Sequence, residues 1–204
     1  MKKKIIITGG LGYIGTELCR LYSGVSWHHK ILVIDNRFIS ERVNQIRNWN
    51  MEFIHGDILN KDLVDKYFSD ADVVHHLAGI TSVPRTKSES SKEIDEKIKL
   101  VAEEGTQNIL NTISNECKLI FPSTHVVYEG ISEVKKDIKE NENTQPVLSY
   151  SSSKAANEKQ IKDSRKNYVI LRLGSVYGYS NDTMRIDIMP NLFSKIASQN
   201  GTLK

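Results

Sequence analysis

Lys4-Ile5-Ile6-Ile7-Thr8-Gly9-Gly10-Leu11-Gly12-Tyr13-Ile14-Gly15 is the stretch that decides how this chain folds. A short run of β-branched apolar residues reads as a buried strand, and the glycines behind it mark a turn into a helix that opens near Gly12. In that setting Gly9 permits the tight turn, Gly12 lets backbone approach a pyrophosphate, and Gly15 lets helix and sheet pack closely. The N–H groups at the helix start, with Tyr13 and Ile14 in its first turn, are then free to meet an anion. The spacing is Gly-x-x-Gly-x-x-Gly rather than the commoner Gly-x-Gly-x-x-Gly, so the glycines carry little weight alone and their context decides.

Downstream, Ile31–Asp35, Met51–His55, Ala71–Ala78, Lys118–Ser123 and Tyr168–Leu173 repeat the strand signal. Helical patterns at Gly12–Ser23, Lys61–Phe68, Glu93–Ser114 and Tyr150–Arg165 alternate with them, which is the signature of βαβ units. Most strands lack inside/outside alternation, as expected when helices cover both faces of a parallel sheet. The chain is thus an α/β protein, a Rossmann-type doubly wound parallel sheet with helices on both faces. The charged stretches Lys87–Lys99 and Val134–Asn143 read as solvated surface, the second as a loop at an end of the sheet that often borders ligands.

Across 204 residues, 28 basic and 25 acidic side chains are interleaved, for a net charge of +3. No basic stripe follows, so nucleic acid is not expected as a partner. Cys19 and Cys117 stand far apart without metal-ligand spacing, which predicts two buried thiols, no metal site and a reducing compartment. The apolar run behind Lys2-Lys3-Lys4 is too short for a signal peptide, and no long apolar stretch occurs; a soluble, cytoplasmic protein without membrane contact is expected.

Asp35 ends the second strand twenty positions after Gly15, with Asn36 beside it. A carboxylate there accepts hydrogen bonds from adenosine ribose hydroxyls and repels a 2′-phosphate, so NAD is favoured over NADP; Arg37 argues the other way. Tyr150 and Lys154 lie four apart at a helix start and share a face. An ammonium beside a phenol favours the phenolate, so the tyrosine pKa is expected to fall toward neutrality, where it acts as a general base. The strand ending in Ser123-Thr124 delivers hydroxyls to the same crevice.

These pieces resemble the NAD-dependent epimerase/dehydratase family of the extended short-chain dehydrogenase/reductase superfamily. The matching segments are Thr8–Gly15, Gly56-Asp57-Ile58, His76-Leu77-Ala78-Gly79, Thr124-x-x-Val127-Tyr128, Tyr150-x-x-Ser153-Lys154 and Leu171–Gly178, in family order through the whole chain. The resemblance implies that Asp57 and Ile58 border adenine, that Leu77, Ala78 and Gly79 pass beneath the cofactor, and that Lys154 holds the nicotinamide ribose. It makes Tyr150 the base and Thr124 the group bonded to the reacting hydroxyl, with packing roles for His75 and His76. The implied substrate is a sugar nucleotide, a UDP-hexose or UDP-N-acetylhexosamine, 4-epimerised through a keto-sugar. Ser82-Val83-Pro84-Arg85 resembles a substrate segment of epimerases acting on N-acetylated hexosamines, and a plain Pro turn accounts for it equally well. Ser82, Arg85 and Ser175, with Thr124, are the substrate candidates.

The family pattern breaks at Ala102 and Ser175, where asparagines are usual, and at Tyr179, where proline is. After Thr124 stand His125 and Val126 rather than the Asp and Glu of the dehydratases, so elimination lacks its acid and base. Residues 1–180 read as the NAD-binding domain and 181–204 as the start of a substrate-binding portion whose remainder is expected to be absent. Alternatives are decarboxylation of a UDP-uronate or keto-sugar reduction on the same scaffold, or a catalytically silent NAD-binding module. The resemblance also implies a homodimer through the helices at Glu93–Ser114 and Tyr150–Arg165, with Ile94, Ile98, Val101, Ile109, Ala155, Ala156 and Ile161 serving either the sheet or the partner.

Overall fold

The apolar runs become six strands: β1 (Lys4–Thr8), β2 (Lys30–Asp35), β3 (Glu52–His55), β4 (Val73–His76), β5 (Lys118–Thr124) and β6 (Asn167–Leu173). In the computed structural model, which describes residues 2–81, 87–180 and 183–202, all of them pair in parallel in the order β3-β2-β1-β4-β5-β6. Around this sheet lie α1 (Tyr13–Tyr22), α2 (Ser40–Asn48), α3 (Lys61–Phe68), α4 (Lys92–Thr112), α5 (Ser149–Asp163) and α6 (Met189–Ser198).

Parallel strands need crossover helices, and the hidden alternation in each apolar run serves them. Ile6, Leu32, Ile34, Val74, Leu119 and Phe121 meet Val64 and Phe68 of α3, Ile109 and Leu110 of α4 and Ile161 of α5. Ile5, Ile7, Ile31 and Val33 point the other way, onto Leu11, Cys19 of α1 and Val43, Ile46 of α2. Each such side chain contributes roughly 1.5–3 kcal/mol by leaving water, so the two half-cores clamp the sheet from both sides. Cys19 and Cys117 are both buried and unpaired, and burial pushes their thiols up to about 12 and about 11. No helix among the described residues is long and apolar enough to cross a membrane.

Two differences from the sequence reading bear on the site. The β4 ladder holds only Val73–His76, because the chain leaves it at Leu77 and the Ala78 N–H turns to Thr8 Oγ1 at 3.0 Å. The helices α2 and α6 were not anticipated: α2 buries only Val43 and Ile46 in a run of charged and amide residues, too thin a stripe to register as periodic. Helix α6 buries Asn191, whose Oδ1 accepts the Gly178 N–H at 2.9 Å, while the Gly178 carbonyl accepts the Tyr13 hydroxyl at 2.5 Å. Residues 183–202 are therefore tied to the first turn of α1.

The tightest approach to backbone is at Gly15, where an added Cβ lies 2.3 Å from the Gly9 carbonyl oxygen and 2.7 Å from the Gly10 Cα. Backbone cannot give way as a side chain would, so Gly15→Ala is expected to cost about 1–3 kcal/mol in urea unfolding. Gly79→Ala, with nothing within 4 Å of its Cβ, should stay within about 0.5 kcal/mol; equal losses at both positions would disprove the steric account.

Candidate active site

A crevice opens at the carboxyl ends of β1 and β4, where the strand order reverses; in open parallel sheets this is where ligands bind. Gly9 turns out of β1 with φ +66°, and its N–H is held by the Ile34 carbonyl at 2.7 Å. A Cβ there would sit 2.8 Å from the Ala78 nitrogen, so only glycine lets the loop lie against the segment after β4. Gly12 is the N-cap of α1 and brings no side-chain cap, which leaves the first-turn amides, those of Tyr13 and Ile14 among them, to an anion.

Asp35 at the end of β2 is 5% exposed. Its carboxylate accepts the Leu11 N–H at 2.9 Å and the Arg37 N–H and Nε at 3.0 and 3.2 Å. The predicted ribose acceptor thus also braces the glycine loop, and Arg37, the residue that argued against NAD, rests on it. Asn36 donates to Asp57 Oδ2 at 2.9 Å, and Asp57 Oδ1 accepts the Leu59 N–H at 2.9 Å. Ile58 is buried, its carbonyl taking the Asn108 amide at 3.1 Å. With Leu77, Ala78 and the exposed Gly79 following β4, the sequence-predicted cofactor residues gather along one edge of the crevice. The glycine cradle, which any Cβ would fill, and the amides aimed from it fit a dinucleotide pyrophosphate.

Thr124 ends β5, 7% exposed, and its Oγ1 accepts the Val126 N–H at 3.2 Å. Tyr150 and Lys154 lie one turn apart in the first half of α5. The Lys154 ammonium donates to the Pro122 carbonyl at 2.8 Å, sits 4.4 Å from the centre of the Phe121 ring and 6.0 Å from that of Tyr150. Burial pulls the Lys154 pKa down to about 8, with Glu158 opposing.

The expected fall in the Tyr150 pKa is not found. Burial raises it above the ordinary tyrosine value, the Arg185 guanidinium pulling part of the way back. Arg185, paired with Asp187 at 2.6 Å, lies beyond the last recognisable motif and had no sequence signal. Ser175 is exposed just past β6; Ser82 and Arg85 lie outside the described residues.

Supports for α5 were also missed. Glu129 accepts the Val147 and Leu148 N–H groups at 2.8 and 2.7 Å and the Ser151 hydroxyl, so a distant carboxylate holds the residues that lead into the helix that carries Tyr150. Glu158 is gripped by Arg172 at 2.9 and 2.6 Å and by the Ser123 hydroxyl at 2.6 Å. Arg172 in turn reaches the Glu140 carbonyl at 2.9 Å and the Tyr128 hydroxyl, so the loop expected across Val134–Asn143 is tethered to β6. A charged residue inside the Leu-Arg-Leu strand was the available signal for this network.

Residues 5–203 match the model of the NAD dependent epimerase/dehydratase family. The chain belongs to that family. Its relatives include dTDP-D-glucose 4,6-dehydratase of Dictyostelium discoideum, 30% identical over 197 residues, covering 86% of this chain and 44% of the relative. UDP-glucose 4-epimerase of Neisseria meningitidis is 29% identical over 178 residues, 80% of this chain and 49% of the relative. Among solved structures, UDP-glucuronic acid 4-epimerase from Bacillus cereus in complex with UDP-glucuronic acid and NAD superposes with a TM-score of 0.76 at 28% identity. That match covers 98% of this chain and 64% of the other. The chain spans about half the length of the curated relatives it matches. The family is NAD-dependent, and NAD is the cofactor that membership in it assigns to this chain.

The depressed Lys154 pKa has a measurable sign. Between about 8 and the ordinary 10.5 the unfolded chain keeps a proton that the folded, cofactor-free protein has released, so stability rises with pH in that window. Urea unfolding of the unsubstituted chain and of Lys154→Met from pH 7 to 10.5 should show the variant's relative advantage shrinking as pH rises. A difference independent of pH contradicts the depressed value.

Proposed function

We propose that this chain is the cofactor-binding and base-bearing part of a sugar-nucleotide 4-epimerase that acts on a UDP-sugar through a transient 4-keto intermediate. The observation that carries the reading is the delivery of Thr124, Tyr150 and Lys154 to the dinucleotide crevice by β5 and α5, in a chain of the epimerase/dehydratase family. Similarity to UDP-sugar 4-epimerases supports the substrate class. Residues 1–180 form the cofactor domain in this reading, and 181–204 open the substrate-binding portion.

The amides around Gly9, Gly12, Tyr13, Ile14 and Gly15 receive the pyrophosphate. Asp35 and Asn36 address the adenosine ribose, Asp57 and Ile58 the adenine, and Leu77, Ala78 and Gly79 form the floor. NAD, when bound, supplies the hydride acceptor and donor. Tyr150 takes the proton from the sugar hydroxyl and later returns it, Thr124 hydrogen-bonds that hydroxyl, and Lys154, still charged at neutral pH, holds the nicotinamide ribose. Ser82, Arg85 and Ser175 are assigned to the sugar nucleotide. Dehydration is disfavoured because Val126 is apolar and the His125 ring bonds the Leu173 carbonyl at 3.1 Å, so no carboxylate follows Thr124 to manage loss of water.

The proposed homodimer uses α4 and α5. Its apolar candidates separate in the structure: Ile98, Ile109 and Ile161 are buried in the core and Val101 packs against it, while Ile94 is 41% exposed. Static light scattering should return twice the chain mass at high concentration; a monomer throughout rejects the dimer.

The reaction is tested by incubating the protein with NAD and UDP-sugars and resolving the C4 epimers by chromatography. Interconversion without net NADH is expected of protein that carries the substrate-binding portion, and Tyr150→Phe in it should retain NAD binding while losing at least about 10²-fold in hydride transfer. Net NADH release with substrate, or full activity in Tyr150→Phe, overturns the assignment.

A further inference from the structure

Behind the crevice runs a chain of buried hydrogen bonds that the epimerase reading leaves unused. Thr8, the last residue of β1 and the neighbour of Gly9, has its Oγ1 3.1 Å from His76 Nδ1 and accepts the Ala78 N–H at 3.0 Å. His76 Nε2 lies 3.0 Å from Thr106 Oγ1 on α4. Thr106 Oγ1 accepts the side-chain amide of Asn157 at 3.0 Å, and the same amide donates to the Ala102 carbonyl at 2.9 Å. Thr8, His76, Thr106 and Asn157 are all at most 2% exposed. Burial, with the Lys154 charge, holds His76 down to about 3, so its ring is neutral, donating from one nitrogen and accepting at the other.

This chain starts at the phosphate loop and ends on α5, three residues past Lys154. His76 and Lys154 also share a neighbour: the Phe121 ring is 5.7 Å from the His76 ring and 4.4 Å from the Lys154 ammonium. We propose that Asn157 is a positioning residue, which through Thr106 and His76 locks α5, and with it Lys154, to the glycine loop at Thr8. The two halves of the dinucleotide site, one on β1 and one on α5, then move as a unit. Buried polar links suit this task because each is costly to leave unmade, so the register they define is narrow. The inference rests on the reading of the crevice as an NAD site with Lys154 on the ribose.

A plain helix-to-helix tie is the rival account, and the structure supplies its control. Gln160, one turn beyond Asn157, donates to the Glu103 carbonyl at 3.1 Å across the same α4–α5 seam and accepts the Asn157 amide at 3.0 Å, so its loss removes a tie and one partner of Asn157 while leaving the link to Thr106 intact. Calorimetric NAD titrations of the full chain separate the two. Asn157→Ala and the shape-conserving Thr106→Val are each expected to weaken NAD by about fivefold or more, although neither residue is among those assigned to the cofactor. Thr106→Ser, which keeps the hydroxyl, and Gln160→Ala should stay within about twofold of the unsubstituted chain. In a Lys154→Met background, Asn157→Ala should add less than about twofold, since the group it positions is gone. An equal loss in Gln160→Ala and Asn157→Ala, or an undiminished Asn157→Ala effect without Lys154, overturns the proposal. Failure of the unsubstituted chain to bind NAD overturns the cofactor reading itself, and the proposal with it.

Discussion

The contact on which the rest of this structure depends is between two pieces of backbone: Gly9, turning out of β1 in the left-handed region, and the Leu77–Ala78 segment leaving β4. No side chain fits between them, and the approach is what brings the start of α1 over the reversal point of the sheet. Gly15 repeats the constraint one step later, since an added Cβ there would meet the Gly9 carbonyl oxygen at 2.3 Å. A positive helix end is thereby fixed at the crevice without any charged side chain being spent on it. Asp35 then reaches from β2 to hold the loop by the Leu11 N–H, so one carboxylate serves the architecture and, in the proposed function, the cofactor.

The opposite wall is built on different physics. Helix α5 begins without a side-chain cap of its own, and Glu129 holds the residues that lead into it by the Val147 and Leu148 amides. Further along, the buried Glu158 is paired with Arg172 and bonded to Ser123. Such a buried pair is poor evidence of stability, because desolvation offsets most of its Coulomb attraction. Its geometric effect is clearer, since it joins α5, β5, β6 and the loop at Glu140 in one network. Tyr150 and Lys154 are thus carried on an element whose approach and middle are both anchored.

The electrostatics of the crevice are set by burial. Burial raises Tyr150 and lowers Lys154, so both groups are pushed toward their neutral forms, and the ammonium finds its partner in the Pro122 carbonyl. A charge added to this crevice shifts both pKa values through the same low-dielectric surroundings.

Much of the fold was legible in the chain itself because it rests on local, periodic signals. Six apolar β-branched runs, a glycine turn after the first and an acidic residue ending the second define a parallel sheet and its crevice, and Tyr150, Lys154 and Thr124 were recognisable by spacing and family order. The ends of β4 and the helix α2 were not, since a thin apolar stripe or a strand cut short by a side-chain hydrogen bond leaves no periodic trace; α6 was missed although Met189, Leu192, Phe193 and Ile196 stand at helical spacing. The state of Asp35 under Arg37, the raised Tyr150 pKa, the hold of Glu129 on Val147 and Leu148 and the path from Thr8 to Asn157 were decided only by the tertiary structure. Each joins residues dozens of positions apart or depends on burial, and neither distance in space nor loss of solvent is written in the order of residues along a chain.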